Sequence, residues 1–153
     1  MGCYMIITFF GHSDFCESNK YEGKVLNLLE ELVGDLPAEM YLGEYGAFDS
    51  FAYSCCKKYK ETHKNISLVF VTPYITEEYS KNHLSYQKTR FDGIIYPEIE
   101  NKPKRFAITY RNKYMAESAD VVIAYVKHRG GAFTALKHAE KNGKRIYNIV
   151  NAL

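Results

Sequence analysis

Five glycines stand at three places where an apolar run ends. Gly11 follows residues 4–10 (YMIITFF), Gly43 and Gly46 follow residues 39–42, and Gly130 and Gly131 follow residues 120–126 (DVVIAYV). Glycine at such points lets backbone N–H groups approach a ligand and lets the turn adopt a positive φ. A helix opening near Gly131 adds unpaired N–H donors and the positive end of a dipole, which suits phosphate. Arg129, beside the double glycine, is the best-placed cation, and Thr134 supplies a hydroxyl. His12 can hydrogen-bond a phosphate or a base, or cap its own turn. Asp49 can cap a helix or hold ribose hydroxyls. Arg111 and Lys113 either reach the same place or lie on a solvated helix face. Asp14, Glu44 and Asp49 are the carboxylates nearest the turns. No glycine turn matches GxGxxG or GxxxxGK[ST], which argues against an ordinary dinucleotide dehydrogenase or a P-loop ATPase.

These residues need a scaffold that brings the three turns together, and the hydrophobic pattern specifies one. Strand-like runs at residues 4–10, 39–42, 66–71, 94–96, 120–126 and 145–150 alternate with helix-spaced segments at 21–33, 47–60, 77–90, 106–118 and 132–141. Such alternation specifies parallel βαβ units, so the expected class is α/β: a doubly wound, mainly parallel, Rossmann-like sheet of five or six strands with helices on both faces. Ligands then sit outside the carboxyl ends of the strands, where the strand order reverses. All three glycine turns fall at that edge.

The chain has 153 residues, 46% hydrophobic and 15% aromatic, with 14 Tyr and 9 Phe. That suits one folded domain over residues 1–153 and excludes disorder. No apolar run approaches the ~20 residues of a membrane-spanning helix, and no basic n-region precedes the first one, so a cytoplasmic protein is expected. Cys3, Cys16, Cys55 and Cys56 lack metal-ligand spacing and read as reduced thiols; no metal or cofactor is expected. Up to Thr76 there are 6 Lys+Arg against 10 Asp+Glu; from Glu77 there are 14 against 8. The basic second half suits an anionic ligand, although solvated helix faces would give the same tally. There is no basic stripe of the kind that binds duplex nucleic acid. Tyr74, Tyr79, Tyr86, Tyr96, Tyr110 and Tyr114 can stack on a base, cover the core or form a homodimer interface.

FFGHSD, LGEYGAFDSFA, RNKYMAESADVVIAYV and RGGAFTALKHAEKNGKRI, in that order, resemble the SLOG superfamily of Rossmann-like proteins. It includes the LOG cytokinin-activating enzymes and the Smf/DprA proteins, and the likeness is stronger to its small, single-domain bacterial and phage members. The resemblance implies a nucleotide-type pocket formed by Gly11, His12, Gly43, Gly46, Asp49, Arg111, Arg129, Gly130, Gly131 and Thr134. LOG enzymes carry PGGxGTxxE, whose glutamate works with an arginine in N-glycosidic cleavage. Here Arg129 replaces the proline, Phe133 the third glycine and Lys137 the glutamate, while Arg111 and Lys113 approximate the family's Arg-Lys pair. A lysine cannot stabilise an oxocarbenium-like state. The second half also resembles nucleoside 2-deoxyribosyltransferases, whose attacking glutamate would correspond here only to Glu140, two turns into its helix. The leading expectation is therefore a protein that senses or sequesters a nucleotide or its derivative. The alternatives are an N-glycosidase or deoxyribosyltransferase using Glu44 or Asp49 with Arg111, and a protein-interaction module.

Overall fold

The computed structural model describes residues 5–73, 80–99 and 101–151. In chain order the elements are β1 (Met5–Gly11), α1 (Ser18–Leu32), β2 (Ala38–Leu42), α2 (Ala47–Thr62), β3 (Ile66–Val71), α3 (Ser85–Arg90), β4 (Gly93–Ile95), α4 (Ala107–Ser118), β5 (Val121–Tyr125), α5 (Gly131–Lys141) and β6 (Arg145–Asn148). The strands form one sheet in the order β4-β3-β2-β1-β5-β6, and every pairing is parallel. This is the α/β Rossmann-like fold that the alternating pattern specifies.

The central strands read as continuous apolar runs because both of their faces are covered. Ile7, Phe9, Met40, Phe70 and Ile123 pack on one side with Val25 and Leu29 of α1 and Phe48, Phe51 and Cys55 of α2. Phe10, Tyr41, Val69, Val71, Val122 and Ala124 pack on the other with Met115 and Ala116 of α4 and Ala135, Leu136 and Ala139 of α5. Among the described residues no helix is long and apolar enough to cross a membrane.

The chain builds outward from β1 to β4, then crosses back to place β5 on the other side of β1. Beyond the carboxyl ends of β1 and β5 the two following connections diverge to opposite faces, which opens a crevice there.

Two boundaries differ from the sequence pattern. The helix expected over 77–90 is, over its described part, a π-helical turn at Ser80–Leu84 that hands over to α3. The last strand stops at Asn148, because Ile149 turns in a 3-10 helix to bury its side chain. Tyr74 and Tyr79 lie outside the described residues.

Candidate functional site

Three loops and one buried arginine enclose a cavity of about 340 Å3 at the crevice. The first loop follows β1. His12 in it is 7% exposed and accepts a hydrogen bond through Nε2 from the Lys127 backbone N–H at 2.9 Å. Its proton must then sit on Nδ1, leaving that atom as a donor. Burial, with His128 and Lys127 nearby, holds the His12 pKa below the ordinary imidazole value against the opposing pull of Asp14. The His12 and His128 rings stack at 3.8 Å and 4° between planes.

The second loop joins β2 to α2. Gly46 takes φ 116°, and a Cβ there would lie 2.6 Å from Ser13 Cα. The adjoining Ala47 N–H donates to the Ser13 carbonyl at 2.9 Å, so the first and second loops are fastened to each other. In the first turn of α2, Asp49 Oδ2 accepts from the Tyr45 N–H at 2.8 Å, a carboxylate where the helix dipole favours one. The third loop follows β5. Gly130 takes φ 150°, and α5 starts at Gly131, which has open space where a Cβ would stand.

Arg111 of α4 closes the arrangement. It is 3% exposed; Nη1 donates to the Val71 carbonyl at 2.8 Å and Nε to Asn112 Oδ1 at 3.0 Å. A Cβ on Gly43 would come within 3.0 Å of both terminal guanidinium nitrogens, so glycine at 43 is what admits this side chain. Half-buried Asp49 has its pKa pushed up to about 6, mainly by burial and in smaller part by Glu44; Arg111 and the Tyr45 N–H pull the other way. The folded state thus holds a proton that the unfolded chain, with a carboxyl near 3.8, has released. This contribution to stability is complete below about pH 4 and is lost as pH rises through 6, a change of about 3 kcal/mol. Asp49→Asn keeps an acceptor for Tyr45. We expect it to unfold at higher urea than the parent at pH 8 and at similar urea at pH 4; equal midpoints at pH 8 would refute the assignment.

No protein-family model and no curated protein matches the chain. Among solved structures it is similar to the molybdenum cofactor carrier protein MCP of Chlamydomonas reinhardtii, with a TM-score of 0.56 and 13% identity over 94% of this chain and 75% of that one. The likeness is one of fold.

Of the residues singled out in the sequence, Gly11, His12, Asp14, Gly43, Asp49, Arg111, Arg129, Gly130 and Gly131 line the cavity. Three others do not. Glu44 is paired with Arg90 at 2.7 Å, Thr134 donates its hydroxyl to the Gly130 carbonyl at 3.1 Å, and Gly46 is packed on Ser13. Arg111 points inward, whereas Lys113 lies over the Tyr110 ring on α4. Among the described residues the tyrosine lining the cavity is Tyr45, not Tyr86, Tyr96, Tyr110 or Tyr114. His128 was missed, although it stands one residue before Arg129 at the end of the same strand, where the rule that found Arg129 applies to it equally.

Proposed function

We propose that the cavity binds a small anionic ligand of nucleotide type and that the protein senses or sequesters it, as the SLOG resemblance implies. The observation that carries this reading is Arg111. This guanidinium is buried, held by Val71 and Asn112, and stands at the wall of a cavity that the start of α5 at Gly130 and Gly131 also lines. Burial strengthens its attraction for an anion, and its planar fork suits a phosphate. The α5 N-terminus and Arg129 add donors and positive charge. Neutral His12 can donate from Nδ1 to a phosphate or ribose oxygen. The cavity volume lies within the range of small-ligand sites, about 300–1,000 Å3. The Chlamydomonas neighbour carries a small molecule, the molybdenum cofactor, which accords with ligand binding on this fold.

The test is a thermal-shift titration with nucleoside mono-, di- and triphosphates. A true ligand at about 100 times its Kd adds about 2.7 kcal/mol, or roughly 5–10 °C in Tm for a chain of this size. Because a side chain at Gly131 meets open space, Gly131→Val is expected to fold normally while filling the cavity mouth and abolishing the shift. An unmoved Tm of the parent protein with every nucleotide would refute the reading.

One observation favours the enzymatic alternative. Asp49 brings a carboxyl with a pKa of about 6 into the same cavity, where it can act as a general acid or base in N-glycosidic chemistry. Chromatographic detection of free base from a nucleoside monophosphate, absent with Asp49→Asn, would place this reading first. Glu44, held by Arg90 outside the cavity, is not proposed for that role.

A further inference from the structure

A second cavity of about 240 Å3 adjoins the first, and Tyr45, Ile108 and Arg111 line both. Its apolar wall is Phe70, Pro73 and Ile108; its polar wall includes Glu44 and Gln87. The volume is below that of whole-ligand sites and suits one planar fragment.

Arg90 fixes the polar wall. Its Nη1 donates to Glu44 Oε1 at 2.7 Å and to Gln87 Oε1 at 3.0 Å, and its guanidinium lies over the Tyr53 ring at 4.1 Å. A guanidinium has donors only, so the Gln87 atom facing it must be the carbonyl oxygen, and the amide has a single orientation. Gln87 is 5% exposed, yet its Nε2 has no hydrogen-bond partner among the described residues. No sealed side-chain nitrogen or oxygen lacks a partner there, so Nε2 retains access, and the cavity is what Gln87 lines. Gln87 Nε2 thus keeps two donors open to the cavity, where a water or a ligand atom can accept from them.

We infer that this compartment takes the heterocyclic base of the ligand. Gln87 donates from Nε2 to a ring nitrogen or carbonyl oxygen, and Glu44 accepts through Oε2 from a neighbouring N–H or amino group. Phe70, Pro73 and Ile108 cover the ring. The ligand then spans both cavities past Arg111, with its phosphate at Gly130 and Gly131. Each of the four common bases shows an acceptor beside a donor on one edge, so selection among them falls to the order of that pair against Gln87 and Glu44 and to the size of the ring between Phe70, Pro73 and Ile108. This rests on the nucleotide reading above, and it assigns Gln87 as a specificity determinant.

The test is calorimetric titration with the adenine, guanine, cytosine and uracil nucleoside monophosphates, and with ribose 5-phosphate as a probe without a base. The wild type should bind one base at least tenfold tighter than the least favoured and tighter than ribose 5-phosphate. Gln87→Leu should lower the ratio of nucleotide to ribose 5-phosphate affinity about tenfold. Gln87→Glu keeps an oxygen for Arg90 but turns the donor into an acceptor, and should lower the ratio about a hundredfold or reverse the base preference. Since it retains the Arg90 partner, it also serves if Gln87→Leu fails to fold by circular dichroism. The inference is overturned if ribose 5-phosphate binds as tightly as the best nucleotide, or if a folded Gln87 variant keeps the wild-type ratio; the phosphate site survives either result. If neither nucleotides nor ribose 5-phosphate bind, the proposed function falls and this assignment falls with it.

Discussion

Arg111→Met is expected to weaken nucleotide binding about thirtyfold or more and so to shrink or erase the thermal shift at ligand concentrations that saturate the parent protein. Truncating one member of a buried charge pair at a binding site costs about 2–5 kcal/mol. Arg111 is buried at the wall of the cavity, and the carbonyl of Val71 holds its fork in place. Methionine has an unbranched stem that can occupy the space of the arginine stem between α4 and the sheet. The free protein loses the hydrogen bonds to Val71 and Asn112 and also the need to bury a charge, effects of opposite sign, so circular dichroism and the melting temperature without ligand are to be read beside the loss of binding. Arg111→Lys should fall between, because an ammonium is a point charge without the planar fork. A folded Arg111→Met protein that binds like the wild type would remove the main support for the anion site.

The largest expected effect on stability belongs to Gly11→Ala. A Cβ at this position would overlap Phe48 Cγ and stand 2.7 Å from Phe48 Cβ. The ring cannot swing aside. It is 1% exposed and packed among Phe15 at 5.3 Å, Phe51 at 5.7 Å and Tyr125 at 6.2 Å, and the close atom at its root moves only with the backbone of α2. Overpacking of this kind costs about 1–3 kcal/mol or more, and we expect a loss near the upper figure, or roughly 6–12 °C in Tm. The cost should fall when Gly11→Ala is introduced into Phe48→Ala, since only the Cβ contact then remains; additive urea midpoints in that double-mutant cycle would show that the clash is not the cause. Gly11 lines the cavity, but close packing of the α2 helix is what forbids a side chain there.

That distinction marks where sequence legibility ends. Apolar runs and glycine stops locate β1, β2, β3, β5 and the helices between them, because strands buried on both faces leave an unbroken hydrophobic signature. They also place Gly11, Gly43, Gly130 and Gly131 at one sheet edge. Which way a helical residue faces is legible only where its helix has a clear apolar stripe. The helix α4 has a weak one, so Arg111 could be read as pointing inward or outward. Its inward direction is set by a carbonyl 40 residues away at Val71. For the same reason Glu44 is legible only as a carboxylate beside a glycine turn, and Gln87 not at all. Their roles depend on Arg90, which gathers an oxygen from each side of β3 in space without leaving any spacing in the chain. Thr134 shows the opposite error: a hydroxyl one turn into a helix looks available to a ligand but satisfies the carbonyl of its own N-cap.

The fastening of the rim loops, Ala47 to Ser13 and Lys127 to His12, has a kinetic meaning. On the proposed reading, a rim already cross-tied would forfeit little freedom when a guest arrives, so little binding energy would go into ordering the loops. Differences in affinity would then lie in the dwell time of the guest, set by how readily the ties give way on departure.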